Sequence, residues 1–268
     1  MPDASTLPAA AAATFAPGAR SDAWTDLNAA THFGLRLLAS DLRNPIAMLI
    51  NLFSPLLVLG LFRMVGRPED LPFLFPGMVC FTVMLFGAWP AQRVTLWFQQ
   101  GIFQRLACAP VRPGWLVLAA GLGQVAAAVA QALVIAVVGV FGLGLSVHPG
   151  GLLLSLPLLA LGAACFIAYG CLLACLVRRA ELVSAFYMCT MLPMAFLGNV
   201  VLPASSLPAF AAHLRPFLPT ALLADLVVPL LTRGWLPFTY PLLVAGLAAF
   251  TLTFAAAAIR FFPGDARG

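Results

Sequence analysis

Six long apolar stretches dominate this sequence of 268 residues, and they restrict what the chain can fold into. A helix needs about 20 mainly apolar residues to cross the hydrocarbon core of a bilayer. Only 9% of the residues are charged, whereas a soluble domain has roughly 25%, so lipid must be the main solvent. We therefore predict an all-α, polytopic membrane protein with six transmembrane helices. Their predicted ranges are 45–64, 71–89 (possibly continuing to 97), 115–147, 152–177, 182–202 and 237–259.

The arginines predict how these spans are oriented. All 14 basic residues are arginine, and they lie singly or in pairs at the edges of the apolar stretches. This distribution is typical of arginines that orient membrane spans, not of a surface that binds nucleic acid. With the amino terminus in the cytoplasm, ten arginines lie inside and four outside, as the positive-inside rule requires. Both termini and the loops around 101–114 and 178–181 are then cytoplasmic. The four outer arginines are Arg63, Arg67, Arg215 and Arg233.

Four further segments flank or interrupt the spans. Residues 1–20 are rich in alanine and proline, which is typical of a disordered tail rather than a signal peptide, and residues 261–268 form a carboxyl-terminal tail. Residues 21–44 have the periodicity of an amphipathic helix on the inner membrane surface, with a soluble docking helix as the alternative. Residues 203–235 contain five prolines among apolar residues, which predicts short helices forming a re-entrant outer segment between spans five and six.

Several activities are disfavoured by residues that the sequence lacks. Without lysine the chain cannot carry the lysine of an ATP-binding P-loop. The acidic residues and histidines lie at span ends or in connecting segments, which disfavours proton coupling, and no serine in a span has a nearby histidine partner for proteolysis. We interpret the six cysteines as packing residues rather than metal ligands. The chain is therefore predicted to be no enzyme, to bind no metal and to lack its own energy source.

A few polar and aromatic residues inside the spans are candidates for a substrate path or gate. Gln124 and Gln131 are seven residues apart and share a helical face, where they either line a path or form hydrogen bonds between helices. Asn199 has the same two interpretations. Aromatic side chains in spans two and five either form an apolar gate or pack the interior. The path and gate candidates are Phe81, Phe86, Gln124, Gln131, Tyr187, Phe196, Leu197 and Asn199.

The order of these features resembles the type-2 permease subunits of ABC exporters. The resemblance covers nearly everything after residue 21. It rests on SDLRNPIAMLINLFSPLL, on FLFPGMVCFTVMLFG, on the loop GIFQRLACAPVRPGWLVLAAGLG and on the proline-rich segment MLPMAFLGNVVLPASSLPAFAAHLRPFLPTALLADLV. It implies a permease of the bacterial inner membrane that forms a homodimer and pairs with two copies of a separate ATPase. ATP and Mg²⁺ would bind to that ATPase.

The resemblance also implies roles for two cytoplasmic segments. Residues 101–109 match the coupling helix that docks into the ATPase, and the contact residues would be Gly101, Gln104, Arg105, Leu106 and Pro110. Many family members have a glutamate where this chain has Gln104. Residues 21–44 match the connecting helix, with Trp24, Leu35, Leu38 and Arg43 as its marked positions.

The cargo is the least constrained prediction. The pattern RLACAPVR resembles drug and lipooligosaccharide permeases, so we expect an amphipathic drug, antibiotic, lipid or lipid-linked glycan to leave the cytoplasm or inner leaflet. Three alternatives stay open: a polysaccharide-exporting permease, an ATP-independent scaffold or facilitator, and an intramembrane enzyme. In each case the 45–260 region is the transmembrane domain.

Overall fold

The chain folds into a bundle of helices. The structure, a computed structural model, describes residues 45–65, 71–102, 113–144, 147–201 and 213–261, together with His32, Gly34, Arg36 and Ala39. In this part of the chain the regular structure is entirely helical, which confirms the predicted fold class. The main helices are α1 (Pro45–Val65), α2 (Leu71–Leu85), α3 (Ala88–Gln99), α4 (Pro113–Leu143), α5 (Pro149–Val177), α6 (Ala180–Leu197), α7 (Pro219–Arg233) and α8 (Tyr240–Arg260).

Five helical stretches are long and apolar enough to cross a membrane. They lie in α2 with α3, in α4, in α5, in α6 and in α8. The helix α1 contains a shorter apolar stretch, Leu52–Leu61, within its 21 residues. At 1.5 Å per residue α1 is about 31 Å long, the length expected of the predicted first span. The protein is thus a polytopic helical membrane protein.

Several predicted span boundaries are wrong. The third span was predicted to reach residue 147, but α4 ends at Leu143 because Gly144 adopts a φ of +68°, where glycine is favoured. The fifth was predicted to reach 202, but α6 ends at Leu197 and Asn199 has a φ of +63°. The fourth begins earlier, at Pro149, because Nδ1 of His148 accepts a hydrogen bond from the Gly151 amide at 3.4 Å. The sixth begins at Tyr240, three residues later than predicted.

Helix α5 lies at the centre of the bundle. It packs against α2, α3, α4, α6, α7 and α8, and Leu159, Ala163 and Phe166 are among its fully buried side chains. Small residues let its neighbours approach closely: a Cβ at Gly162 would meet the Leu223 side chain, and one at Gly170 would collide with the backbone carbonyl of Gly87. Close backbone approach of this kind holds helices together in lipid, where apolar burial between them contributes little.

In its described part, the proline-rich segment after α6 contains a short turn followed by one largely buried helix, α7. A 3-10 turn, Arg215–Phe217, leads into α7, which packs against α5, α2 and α8. Helix α7 runs antiparallel to α5: Leu223 meets Gly162, while the carbonyl of Leu231 accepts a hydrogen bond from the His148 amide at 3.1 Å. Its first turn is fixed to α6 by Thr220, whose hydroxyl donates to the Met194 carbonyl at 2.7 Å. The re-entrant course through the outer leaflet stays a prediction.

The amino-terminal region is described at four positions. His32, Gly34, Arg36 and Ala39 are helical, and the polar residues His32 and Arg36 are exposed, as expected for the polar face of an amphipathic helix. Trp24, Leu35, Leu38 and Arg43 lie outside the described residues, as do the two predicted tails, residues 1–20 and nearly all of 261–268.

Candidate functional site

The predicted coupling segment begins where α3 ends. Gly101 adopts a φ of +63°, which turns the chain away from the helix, and Ile102 follows in a helical conformation. Gln104, Arg105, Leu106 and Pro110 lie outside the described residues, so their docking role stays a prediction.

The second predicted inner turn lies beside this end of α3. Arg178 is left-handed (φ +53°) and Arg179 is extended, so two residues join α5 to α6; the tight turn predicted at 178–181 is present but shorter, because α6 already begins at Ala180. The Gln99 side chain donates a long hydrogen bond, 3.5 Å, to the Arg178 carbonyl. The two loops predicted to be cytoplasmic therefore lie at the same end of the bundle.

The second span is broken in the middle. Helix α2 ends at Leu85 and α3 begins at Ala88, and the amides of Phe86 and Gly87 bond to carbonyls three residues back at 3.3 Å. Pro90 explains the position of the break, because a proline has no N–H for the carbonyl four residues earlier and its ring clashes with that carbonyl. The break divides the span into one half that joins the coupling segment and one half that does not.

Neighbouring helices hold this break in place. Tyr187 on α6 is fully buried, and its hydroxyl donates to the Met84 carbonyl at 2.6 Å. Gly87 has no room for a side chain, because a Cβ would collide with the Tyr187 hydroxyl and the Phe166 carbonyl. The ring of Tyr187 also lies 5.7 Å from that of Tyr169 on α5. Tyr187 therefore links the fifth span to the break in the second span.

The two glutamines of α4 lie on its buried face, with 6% of Gln124 and 5% of Gln131 exposed. Both polar atoms of the Gln131 amide lack a hydrogen-bond partner among the described residues. Gln124 has an interaction partner and borders a cavity of about 20 Å³ that Arg93 and Trp97 also line. Burying an amide without a partner is costly, so Gln131 is an unusual residue for a passive interior.

The other path candidates divide into interior and surface positions. Phe86 is buried and Phe81 packs against the same core, whereas Phe196 is 40% exposed and Leu197 half-buried. The structure therefore brings Phe86 and Tyr187 together at the break of span two. It leaves Phe196 on the outer surface of α6, away from them.

Asn199 belongs to a polar cluster that sequence reasoning missed. Its amide nitrogen lies 3.5 Å from Oδ1 of Asp225 on α7, and Arg215 donates to the same oxygen at 2.5 Å. Burial raises the pKa of the Asp225 carboxyl, while the Arg215 guanidinium and the Asn199 amide act in the opposite direction. A single acid within the apolar run 219–231 was the available signal for this cluster. The cluster fixes the 3-10 turn to α7.

These features define the class of protein. The described residues form a helical bundle with five stretches long and apolar enough to cross a membrane, which is the architecture of a multi-pass membrane protein.

Comparison with protein families gives the particular family. A family model described as ABC-2 type transporter matches residues 34–231, well over half of the chain, so the chain belongs to this family and is a permease component of an ABC transporter. The family implies a partner ABC ATPase subunit. Comparison with curated proteins gives no match.

Proposed function

We propose that this chain is the membrane subunit of an ATP-driven exporter. Two copies would form the translocation unit, and each would pair with one copy of a separate ATPase that binds ATP and Mg²⁺. Membership in the ABC-2 family supports the ATPase partnership. The exporter role and the copy numbers belong to the proposal.

The observation that carries the mechanism is the direct connection from α3 through Gly101 to the coupling segment. Motion of the ATPase would press on residues 101–110, and α3, rigid and helical as far as Gln99, would transmit the displacement to the break at Phe86–Gly87. The hydroxyl of Tyr187 and the bond from Gln99 to Arg178 would carry the motion to α6. A lever with a hinge is a common way to convert local contact into a larger rearrangement.

The orientation follows from charge. The loops at 101–112 and 178–179 lie at one end of the bundle and include four of the arginines counted as inner, which supports a cytoplasmic location for that end. Both termini would then be cytoplasmic, and a bacterial inner membrane is the proposed location.

The exposed face of α6 is the proposed path and dimer surface. Leu182, Phe186, Leu192 and Phe196 are exposed along α6, whereas Val183, Tyr187, Met191 and Ala195 on its other face are buried. A path lined by such residues suits an amphipathic drug, antibiotic, lipid or lipid-linked glycan. Facing copies of α6 would place Phe196 and Leu197 near the exit.

The test replaces the proposed ATPase contact. Arg105→Glu with Leu106→Glu, made in the full chain produced with its ATPase, should abolish co-purification of the two subunits and ATP-dependent cargo movement into vesicles. The matched control is Arg260→Glu, an arginine at the end of α8 that belongs to the same predicted membrane face but not to the coupling segment.

The outcomes separate the candidate functions. Loss of co-purification in the double variant alone supports the proposal. Normal co-purification and transport in the double variant would reject the docking role, and transport by the purified chain without any ATPase would reject an ATP-driven exporter altogether.

A further inference from the structure

A cavity of about 630 Å³ lies at the end of the bundle opposite Gly101. It opens between α2, α7 and the start of α8, and its volume is within the range of small-molecule sites. Its walls combine apolar side chains with a few polar groups, the composition expected of a site for an amphiphile. Its lining includes Phe73, Asn199, Asp225, Thr232, Arg233 and Thr239.

The polar groups of this cavity differ in charge. Asp225 supplies a carboxylate. Among the described residues, the hydrogen bonds to it from Arg215 and Asn199 both go to Oδ1, which leaves the second oxygen to accept hydrogen bonds from a ligand. Arg233, two turns further along α7, supplies an exposed cation that lies 5.9 Å from the Trp235 ring. The cavity thus offers an acceptor for an amine and a donor for an anion.

The cavity lies at the height where the apolar part of α8 begins. Thr239 caps the start of α8 and Leu243 is one turn inside it, and both line the cavity. Three exposed aromatic residues, Trp235, Phe238 and Tyr240, surround this helix end. Aromatic residues at the end of a span mark the level of the lipid head groups.

We propose that this cavity binds the head group of a zwitterionic aminophospholipid, such as phosphatidylethanolamine. The ammonium lies against Asp225 and donates hydrogen bonds to its free oxygen. The phosphate lies at the mouth of the cavity and accepts from the guanidinium of Arg233. The acyl chains follow the exposed apolar surface of α8, where Leu242 is 74% exposed.

The charged side chains of the cavity also predict which lipids bind more weakly. A choline head group has no N–H and cannot hydrogen-bond to the carboxylate. A glycerol head group has no cation to place beside Asp225. Phosphatidylethanolamine is therefore retained more strongly than phosphatidylcholine or phosphatidylglycerol.

Native mass spectrometry of the full chain with its ATPase tests this site. The complex, stripped of lipid in detergent, receives equal amounts of 1-palmitoyl-2-oleoyl phosphatidylethanolamine, phosphatidylcholine and phosphatidylglycerol, and the retained adducts are counted. A charge-assisted hydrogen bond corresponds to about tenfold stronger retention of the ethanolamine lipid or more. Equal retention of the ethanolamine and choline lipids, or preference for the glycerol lipid, overturns the proposal.

Two variants locate the binding within the protein. Asp225→Asn removes the discrimination between ethanolamine and choline, whereas Arg233→Gln lowers retention of all three lipids and leaves the order among them unchanged. Arg260→Gln, at the other end of α8, is the control and changes nothing.

Arg233 keeps the test decisive even where Asp225→Asn fails to fold. Its side chain is exposed, so its loss does not disturb the interior, and unchanged lipid retention in Arg233→Gln overturns the proposal. The measurement needs neither nucleotide nor cargo, so its failure leaves the proposed exporter function untouched.

Discussion

The Gln131 amide sets the first prediction at the scale of single residues. Gln131→Leu keeps a similar volume and removes a buried amide that has no partner among the described residues. We expect the variant to be more stable by about 1–3 kcal/mol, because the desolvated amide no longer has to be buried. If the path predicted from the sequence includes Gln131, ATP-dependent transport falls as well, although Gln131 is buried on α4 and not on the exposed face of α6 where the proposed path runs. The thermal denaturation midpoint and vesicle transport measure the two effects.

Gln124→Leu is the matched control for this change. Gln124 lies on the same face of α4 but has an interaction partner, so its replacement should lower the denaturation midpoint. A fall in stability for Gln131→Leu would show that the amide is satisfied, and higher stability with normal transport would remove Gln131 from the path.

Tyr187 sets the second residue-scale prediction. Tyr187→Phe removes one hydrogen bond to the Met84 carbonyl and should cost about 1 kcal/mol, while keeping the packing of the ring. Because this bond joins α6 to the hinge, we expect ATP hydrolysis in the complex to continue with less cargo moved per ATP.

Tyr169→Phe separates coupling from a general loss of stability. The Tyr169 hydroxyl donates to Thr190 on α6 at 2.7 Å, whereas the Tyr187 hydroxyl donates to the Met84 carbonyl beside the break, so the Tyr169 variant should lose stability but keep its transport ratio. Equal transport ratios in the two variants would contradict a coupling role for Tyr187.

For single residues, the sequence predicted which side of a helix is buried more reliably than it predicted hydrogen-bond partners. The spacing of Gln124 and Gln131 placed both on one helical face, and both are buried. The partner of Tyr187 could not be predicted, because it is a backbone carbonyl beside a break in another helix. The Asp225 cluster depends likewise on a turn at Asn199 that brings α6 and α7 together. The roles of the coupling residues 104–110 stay predictions.

At the scale of helices, the break in the second span makes the clearest prediction. Pro90→Ala restores an N–H to the first turn of α3 and allows a continuous helix through Phe86–Gly87, which gains about 1 kcal/mol for one hydrogen bond. We expect the denaturation midpoint to stay or rise while transport falls, because the span loses the turn that separates its two halves. Spin labels at Phe73 and Leu96, on the two halves, would report a change in their distance.

Pro157→Ala provides the comparison. Pro157 lies inside α5, which remains one helix from Pro149 to Val177, so its replacement removes a proline without closing a break. A comparable loss of transport in this variant would mean that the break at Phe86–Gly87 has no special role.

The apolar composition of the sequence was enough to predict that the helices exist. Where each helix ends depends on contacts with other helices, which the sequence does not show. Apolar runs predicted every span that the structure describes. The end of α6 at Leu197 could not be predicted, because the apolar run continues past it and the chain turns where Gly198 meets Thr220 on α7. The prolines at 203–235 indicated a broken segment, yet α7 tolerates Pro229, since neighbouring helices compensate for it.

At the scale of the whole molecule, Cys189 reports on the proposed dimer. It is exposed on α6. In a chain whose other cysteines are replaced by serine or alanine, mild oxidation in membranes should give a disulfide-linked dimer if two α6 helices face each other.

A cysteine on another surface provides the negative control. Leu252→Cys, introduced together with Cys189→Ser, lies on the exposed side of α8, where we expect lipid, and should stay monomeric on a denaturing gel. Cross-linking through position 252 but not 189 would relocate the dimer surface from α6 to α8.

The orientation is tested in the same cysteine-free background. A thiol at Phe238, which is almost fully exposed at the start of α8, should react with a membrane-impermeant maleimide in intact cells. A thiol at Ile102 should react only after the membrane is opened. The reverse pattern would invert the proposed topology and place the coupling segment beyond the reach of an ATPase.

The unequal lengths of α5 and α6 affect the lipid around the protein. The two helices start from a shared two-residue link, yet α5 has 29 residues and α6 has 18, so they rise about 44 Å and 27 Å. A hydrocarbon core is about 30 Å thick, so α6 lies at the short end of the range for a membrane-spanning helix. A span this short is accommodated by local thinning of the bilayer or by oligomerisation, and the second route covers that flank with a protein surface of the same short height.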